Sequence, residues 1–257
     1  MYLILGFFAA HWILSVFFQT FFLHRYGAHR QFTMSPGWER IFHLMTWLTQ
    51  GSSYLNPRAY AILHREHHAF SDTVRDPHSP HIYTNVMTMM WRTKTRYEGL
   101  CHHEIEPEPR FAGGTPEWST LDRVADRWPT RAAFVIGYTL FYVAFAPSLI
   151  WFALLPFHFL MGPIHGAIVN WCGHKYGYRN FESNDRSVNA LPFDFLTLGE
   201  LFQNNHHHAG TRPNFAVRWF EIDPAYLVIR TMSAIGVLQL VAEGSGSGTT
   251  VAAPGHG

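Results

Sequence analysis

The sequence predicts an all-α integral membrane protein with about three transmembrane helices, in-plane helices and a cytosolic helical cap. Of its 257 residues, 47% are apolar, 16% are aromatic and only 14% are charged. Soluble domains carry about a quarter charged residues, so this deficit indicates burial in a bilayer. The formal net charge of +1 does not indicate a basic surface for binding nucleic acid. Two cysteines, Cys101 and Cys172, make no disulfide framework.

Two long apolar stretches predict the spans. Residues 2–23 are apolar, with His11 and Gln19 as their only clearly polar members, and residues 132–173 contain no Asp, Glu, Lys or Arg. About 20 apolar residues cross a bilayer, so the second stretch has room for two crossings. The predicted spans are therefore about 2–23, 132–150 and 152–173.

The remaining segments are predicted to lie at or outside the membrane surface. Residues 41–63 mix apolar and polar side chains and favour an in-plane helix. Residues 64–130 and 174–243 form the predicted cap, in which 221–243 have the spacing of an amphipathic helix. Residues 1–243 are thus predicted to be one domain, and the low-complexity tail 244–257 is predicted to be disordered.

Histidines occur in four short groups, each at the edge of an apolar stretch. The groups are His24 and His29; His64, His67 and His68; His174; and His206 and His207. Imidazole is the commonest metal ligand among side chains and suits iron. The second group has i, i+3, i+4 spacing, which places its rings on one helical face, and Gln203, His206 and His207 repeat that spacing. The pattern predicts a metal site.

Two further spacings concern the ends of the spans. His24 and His29 are five positions apart, roughly 140° around an α-helix, so we expect the first span to end or unwind at Gly27. Asn170 and His174 are four apart and share a face at the end of the last span.

The four histidine groups are predicted to lie on one side of the membrane. Only 34 residues lie between His29 and His64, whereas two crossings need roughly 40. Basic residues flank the span ends on the same side, which predicts that the site faces the cytosol: these are Arg25, Arg30, Arg131 and Lys175. The expected location is the inner (cell) membrane of a bacterium or the endoplasmic reticulum of a eukaryote.

Four stretches carry a resemblance to a known family. They are HRYGAH at 24–29, HREHHAFSDTVRDPH at 64–78, NWCGHKYG at 170–177 and GELFQNNHH at 199–207. The chain resembles the membrane fatty acid desaturases of the stearoyl-CoA (acyl-CoA) type from about Phe18 to Leu240. The resemblance implies a histidine-box dimetal site with two Fe ions, a fatty acyl substrate, O2 as the oxidant and a cis double bond as the product. It also implies a separate electron-transfer protein of the cytochrome b5, ferredoxin or rubredoxin type.

The resemblance also implies roles for individual residues. The metal ligands would be His24, His29, His64, His67, His68, His174, His206 and His207, with Asn170 acting through a water. Where the family has a ninth histidine, this chain has Gln203, whose amide oxygen is a weaker ligand. Carboxylates would orient the rings, and the candidates are Glu66, Asp72, Asp76, Asp194 and Glu200. We expect His78 to structure its loop rather than to bind metal.

Substrate-binding residues are predicted on weaker grounds. Trp47, Tyr54 and Trp171 are candidates for lining an apolar tunnel. Arg92 and Lys94 could contact a CoA phosphate or face the anionic leaflet, and both interpretations stay open.

Two alternative functions stay open beside desaturation. A related diiron membrane hydroxylase or monooxygenase acting on a lipid or hydrocarbon would use the same boxes. A metal transporter would place polar ligands near the middle of the bilayer, whereas these groups lie at span ends.

Overall fold

The computed structural model describes residues 1–241, which are mainly helical. The predicted tail 244–257 lies outside the described residues. The helices are α1 (Tyr2–Phe18), a π-helix (Gln19–Ala28), α2 (Pro36–Gln50), α3 (Pro57–Phe70), α4 (Val86–Cys101), α5 (Ser119–Asp126), α6 (Trp128–Phe145), α7 (Leu155–Phe159), α8 (Met161–Cys172), α9 (Gln203–His208) and α10 (Pro224–Ala234). Two 3-10 segments, Gly51–Ser53 and Leu149–Leu154, connect α2 with α3 and α6 with α7.

A two-stranded sheet departs from the predicted all-α class. Strand β1 (Phe32–Met34) pairs antiparallel with β2 (Leu238–Leu240). The helix predicted over 221–243 therefore stops early: α10 ends at Ala234, and Gly236 follows with a positive φ of 77°. Glycine adopts this left-handed conformation without strain, which is how many helices end. The short sheet joins the end of the described chain to the segment after the π-helix.

The first predicted span corresponds to a helix that is longer than expected. Helix α1 continues directly into the π-helix, so that Tyr2–Ala28 forms one helical unit of 27 residues. Within residues 1–241 this is the one unbroken helix long and apolar enough to cross a membrane.

The other two predicted spans differ from the structure. Helix α6 ends at Phe145 instead of residue 150, because Ala146 precedes a proline and is extended, with ψ 125°. The expected span at 152–173 is broken: Leu149–Phe159 and Met161–Cys172 meet at an angle of 71°. By length and apolarity the described residues contain one spanning helix, or up to two if this bent pair counts as one. The count of three stays a prediction.

Proline explains the break before α8. Pro163 has no N–H to donate to the Phe159 carbonyl, and its ring crowds that carbonyl. The Ser52 hydroxyl donates to this carbonyl at 3.1 Å, and the Gly162 N–H donates to the Ser53 hydroxyl at 3.1 Å. Because backbone groups in an apolar setting need partners inside the protein, these serines stabilise the bend. The bend sets the direction of α8, which carries Asn170.

A buried arginine forms an ion pair that connects the first helical unit with the last helix. Arg25 is fully buried, and its guanidinium donates to the Asp223 carboxylate at 2.9 and 3.1 Å and to the Pro213 carbonyl at 3.0 Å. It also lies 4.0 Å above the Phe215 ring. Asp223 accepts the Tyr226 N–H and so caps α10. The ion pair therefore connects two ends of the chain that are distant in sequence.

Replacing Asp223 with asparagine should destabilise the fold strongly. The variant removes the carboxylate that accepts two hydrogen bonds from a buried guanidinium, and breaking a buried ion pair in this way costs about 3–5 kcal/mol of unfolding free energy. The measurement is denaturant unfolding in detergent micelles followed by circular dichroism. Glu104→Gln, on an exposed loop, is the control and should leave the midpoint unchanged. Equal midpoints for the two variants would contradict the structural role of this pair.

Candidate metal centre

Eight histidines from four separate segments converge into two adjacent groups. The five-histidine group consists of His24, His29, His64, His68 and His206, and the three-histidine group consists of His67, His174 and His207. Within each group, one ring nitrogen per residue lies within 4.8 Å of all the others. The rings of His68 and His207 are 4.3 Å apart and join the groups. The structure thus brings together all eight histidines singled out in the sequence.

Helix α3 supplies ligand candidates to both groups. Its start is defined by Asn56, whose side chain accepts the Ala59 N–H, and by Pro57 in the first turn. His64 and His68 are one turn apart and point into the five-histidine group, while His67 points into the other group. With the i, i+3, i+4 spacing, one helix therefore places histidines in both groups.

The π-helix brings His24 and His29 onto one side. The His29 N–H donates to the His24 carbonyl at 3.0 Å, a bond that spans five residues. In a π-helix residues five apart are neighbours on the same face, which an α-helix does not allow. The expectation that the span unwinds at Gly27 was wrong, because helical hydrogen bonding continues to Ala28.

The nitrogens of the five-histidine group face one another at close range. Nε2–Nε2 distances are 2.7 Å from His29 to His64, 2.9 Å from His68 to His206 and 3.0 Å from His24 to His206. Burial and the neighbouring imidazoles hold the pKa values of His64, His68 and His206 well below the usual value. The rings are thus neutral near pH 7, and neutral imidazole is the form that binds metal. The ring nitrogens of this group therefore form a set of donors that suits a metal cation.

Each ring of the three-histidine group is anchored by a carboxylate. His67 Nδ1 lies 2.9 Å from Asp76, His174 Nδ1 lies 3.0 Å from Asp72, and His207 Nδ1 lies 2.7 Å from Asp185. The Nε2 atoms of the three rings are buried, and the described residues offer them no hydrogen-bond partner. Histidines that bind metal through one ring nitrogen usually donate the other ring N–H to a carboxylate, and these three rings have that arrangement.

The anchoring carboxylates are ionised. Burial alone would raise the pKa values of Asp72, Asp76 and Asp185, but the histidines beside them hold all three below the usual value. An ionised carboxylate only accepts hydrogen bonds, so each Nδ1 donates, and in the neutral form of each ring Nε2 carries the lone pair that a metal requires. Glu200 lies 2.6 Å from His24 Nδ1, and this contact helps to lower the pKa of Glu200 to about 2 against the effect of burial.

Sequence reasoning identified only part of this carboxylate set. Asp72, Asp76 and Glu200 contact ligand candidates as expected, whereas Glu66 pairs with Arg96. Asp194 instead accepts backbone N–H groups of the loop at 197–201. Asp185 was missed, because it lies 22 residues before His207 and no local spacing links the two.

Gln203 and Asn170 lie beside the histidines. Gln203 is buried and donates from Nε2 to the Glu200 carbonyl at 2.6 Å. A Cβ at Gly173 would lie 2.4 Å from the Gln203 Cγ, so glycine permits the close approach of α8 to α9. Asn170 and Gln203 both line a large cavity next to the centre.

That cavity has a volume of about 660 Å³ and connects the centre with the cap. His24 and His64 line it, as do Met90 and Trp91 of α4. Its size lies within the range of about 300–1,000 Å³ typical of small-molecule sites. The lining is mostly apolar, as an aliphatic ligand requires.

The predicted substrate residues are only partly in this cavity. Tyr54 and Lys94 line it, but Arg92 lines a second pocket beside Glu66. Trp47 packs edge-on against Phe134, with ring centroids 5.9 Å apart, and Trp171 packs under Lys175 at 4.0 Å. The expectation that Trp47 and Trp171 line the tunnel therefore differs from the structure, because their rings pack against these neighbours instead.

A mainly helical fold with a long apolar first helix and two adjacent histidine groups that could hold metal is typical of a membrane-associated class of histidine-rich protein. The chain belongs to the fatty acid desaturase family, whose model matches residues 1–236. This confirms the family resemblance seen in the sequence.

Individual relatives agree with this assignment. The chain is 30% identical over 222 residues to the sn-1 stearoyl-lipid 9-desaturase of Synechocystis sp., covering 83% of this chain and 64% of the relative. It is 28% identical to the Delta-9 desaturase-like 5 protein of Arabidopsis thaliana, over 85% and 70% of the two chains. It is 27% identical to the acyl-CoA C20 Delta5-desaturase of Anemone leveillei, over 90% and 70%. The chain thus spans less than two thirds of the Synechocystis relative.

Replacing Asp185 with asparagine should weaken metal binding. The neutral amide no longer fixes the tautomer and orientation of His207, and loss of such a partner costs about 10–100-fold in metal affinity. The measurement is the metal retained per chain during titration with a chelator. Glu108→Gln, which removes an exposed ion pair with Arg75, is the control. Identical chelator titrations for wild type and Asp185→Asn would contradict the anchoring role.

Proposed function

We propose that this protein is an O2-dependent desaturase that introduces a cis double bond into a fatty acyl chain. The observation that carries the proposal is the pair of histidine groups beside an apolar cavity of about 660 Å³. Family membership supports it, as do relatives named as lipid and acyl-CoA desaturases. Recovery of hydroxylated instead of unsaturated chains would favour a diiron hydroxylase.

The proposed cofactor is a pair of Fe ions held by the eight histidines. One iron would be bound by the five-histidine group and the other by the three-histidine group. Asn170 would hold a water beside this second iron. Two irons supply the activation of O2 that removing hydrogen from unactivated methylene groups requires. The anchored rings, free Nε2 atoms and neutral imidazoles fit this cofactor.

The protein's own residues position the centre and the substrate. Asp72, Asp76 and Asp185 fix three rings, and Glu200 fixes that of His24. Tyr60, Leu63 and Val169 line the cavity close to the centre. These side chains would exclude water from the reacting carbons and hold the acyl chain extended. The length of the acyl chain and the position of its double bond would depend on where the cavity ends relative to the irons.

Electrons are proposed to come from a separate carrier of the cytochrome b5, ferredoxin or rubredoxin type. The sequence has two cysteines, fewer than the four that an Fe–S cluster usually requires, and shows no dinucleotide fingerprint. The protein is proposed to be anchored in the bilayer through Tyr2–Ala28, with the centre facing the cytosol.

The cations around the outer cavity favour a lipid-linked substrate over a CoA thioester. Lys94 pairs with Glu98, and Arg131 lies 3.0 Å from Asp126. On the neighbouring face of α4, Arg96 pairs with Glu66. CoA carries several phosphates, which proteins bind with available cations. We therefore propose that the acyl chain is esterified in a membrane lipid and enters beside the exposed Met87 and Trp91.

Replacing His67 with alanine should abolish desaturation. His67 is an anchored member of the three-histidine group, so its loss removes one of the proposed ligands of the second iron. The measurement is lipid profiling of a host that expresses either the wild type or the variant. New unsaturated acyl chains should appear with the wild type and vanish with His67→Ala. His103→Ala, on the exposed turn after α4, is the control and should retain the product.

Purified, iron-loaded enzyme with an electron donor should convert stearoyl chains in phospholipid vesicles in preference to stearoyl-CoA. Glu98→Gln should increase the use of stearoyl-CoA, because it frees Lys94 for a phosphate. Glu104→Gln is the matched control and should not. Efficient conversion of stearoyl-CoA alone by the wild type would contradict the lipid-linked substrate while leaving desaturation intact.

A further inference from the structure

Residues 191–196 form a loop whose large apolar side chains are exposed. The exposed fractions are 38%, 57%, 62% and 50% for Leu191, Phe193, Phe195 and Leu196, respectively. Between Arg186 and Glu200 the one charged residue is Asp194, and its side chain is fully buried. The surface of this loop is therefore apolar and uncharged. Exposed patches of this kind mark contacts with a membrane or with another protein.

The backbone around the loop is held by hydrogen bonds from within the protein. Asp194 accepts from the N–H groups of Thr197, Gly199 and Leu201 at 2.8, 3.1 and 2.9 Å, and from the Thr197 hydroxyl. The indole N–H of Trp12 donates to the Leu196 carbonyl at 3.0 Å. Because lipid offers backbone groups no partners, irregular backbone at membrane depth needs internal bonds of this kind.

The contact with Trp12 places the loop beside the apolar part of the first helix. Trp12 lies in α1 six residues before Phe18, which is about 9 Å along the helix axis, and twelve residues before His24. Ile13 and Leu14, the next two residues of α1, are 51% and 44% exposed. The loop thus adjoins an apolar surface of the one unbroken helix in residues 1–241 that is long enough to cross a membrane.

We propose that residues 191–196 insert into the acyl layer of the membrane, so that part of the predicted cytosolic cap lies below the lipid headgroups. The inference rests on the anchoring of Tyr2–Ala28 in the bilayer, which belongs to the proposed function. Lipid is the occupant that covers Phe193 and Phe195, because the loop adjoins the helix that lipid would surround. Burial of large apolar side chains in the acyl layer supplies the free energy of insertion.

Insertion of the loop also has a consequence for the histidine groups. Phe195 lies five residues before Glu200, whose carboxylate is 2.6 Å from His24 Nδ1. Asp194 fixes the backbone between these two residues through its bonds to Thr197 and Gly199. The loop therefore sets the depth of the five-histidine group relative to the lipid.

Fluorescent labels at single cysteines test this proposal without an activity assay. The chain has two cysteines, so Cys101→Ser with Cys172→Ser gives a background without them. Phe193→Cys and Phe195→Cys report on the loop; both positions are more than half exposed, so neither change removes core packing. Ile13→Cys is the control for lipid contact, and Glu104→Cys, on an exposed loop, is the control for water.

Each full-length variant is labelled with the fluorophore NBD and reconstituted in phosphatidylcholine vesicles, and circular dichroism checks that it is folded. Quenching by phosphatidylcholine with brominated acyl chains is compared with quenching by iodide present on both sides of the membrane. We expect the labels at positions 193, 195 and 13 to lose most of their emission to brominated lipid and little to iodide. The label at position 104 should show the reverse.

The outcomes separate this inference from the proposed function. Quenching of both loop labels by iodide, with position 13 still quenched by lipid, overturns the inference while leaving the membrane anchor intact. Protection of the loop from both quenchers also overturns it, because a second copy or another protein then covers the loop. Quenching of position 13 by iodide contradicts the anchor itself.

Discussion

A buried imidazole must satisfy two ring nitrogens at once, and the centre of this protein depends on that requirement. Three rings place Nδ1 against Asp76, Asp72 and Asp185, and their Nε2 atoms converge in the interior. Each ionised carboxylate fixes the tautomer and the direction of its ring. A metal on the opposite nitrogen would complete the set. The site is therefore specified by pairs of residues, and two of the three anchors, Asp72 and Asp185, come from a different segment than their histidine.

The fold can be understood as the means of bringing those segments together. The buried ion pair of Arg25 with Asp223 joins the π-helix to the start of α10. Glu200 contacts both His24 and the Arg25 side chain, at 2.6 and 3.7 Å, and so links this ion pair to the five-histidine group. On the other side, the bend before α8 directs Asn170 towards the cavity. The stability of the fold and the arrangement of the histidine groups therefore depend on the same buried charges.

The sequence predicted those parts of the site that local spacing determines. Helical periodicity places His64, His67 and His68 on one face, and composition alone identifies Tyr2–Leu23 as an apolar helix. Asp185 could not be found in this way, because its contact with His207 depends on tertiary folding. The bend at Leu160 was missed for a different reason: an uncharged stretch satisfies a hydropathy criterion whether or not its helix is continuous. The π-helix was missed because periodicity arguments assume 3.6 residues per turn.

The π-helix makes the number of residues in this segment as important as their identity. An α-helix turns by about 100° per residue, so ordinary α-helical bonding over Gln19–Ala28, with every residue kept, would turn His29 about 140° away from His24. Conservative side-chain exchanges elsewhere in the segment would leave the two imidazoles aligned. The spacing of the two histidines and the type of helix are thus linked: a spacing of five residues needs π-helical bonding here, and relatives with a spacing of four would need an ordinary α-helix.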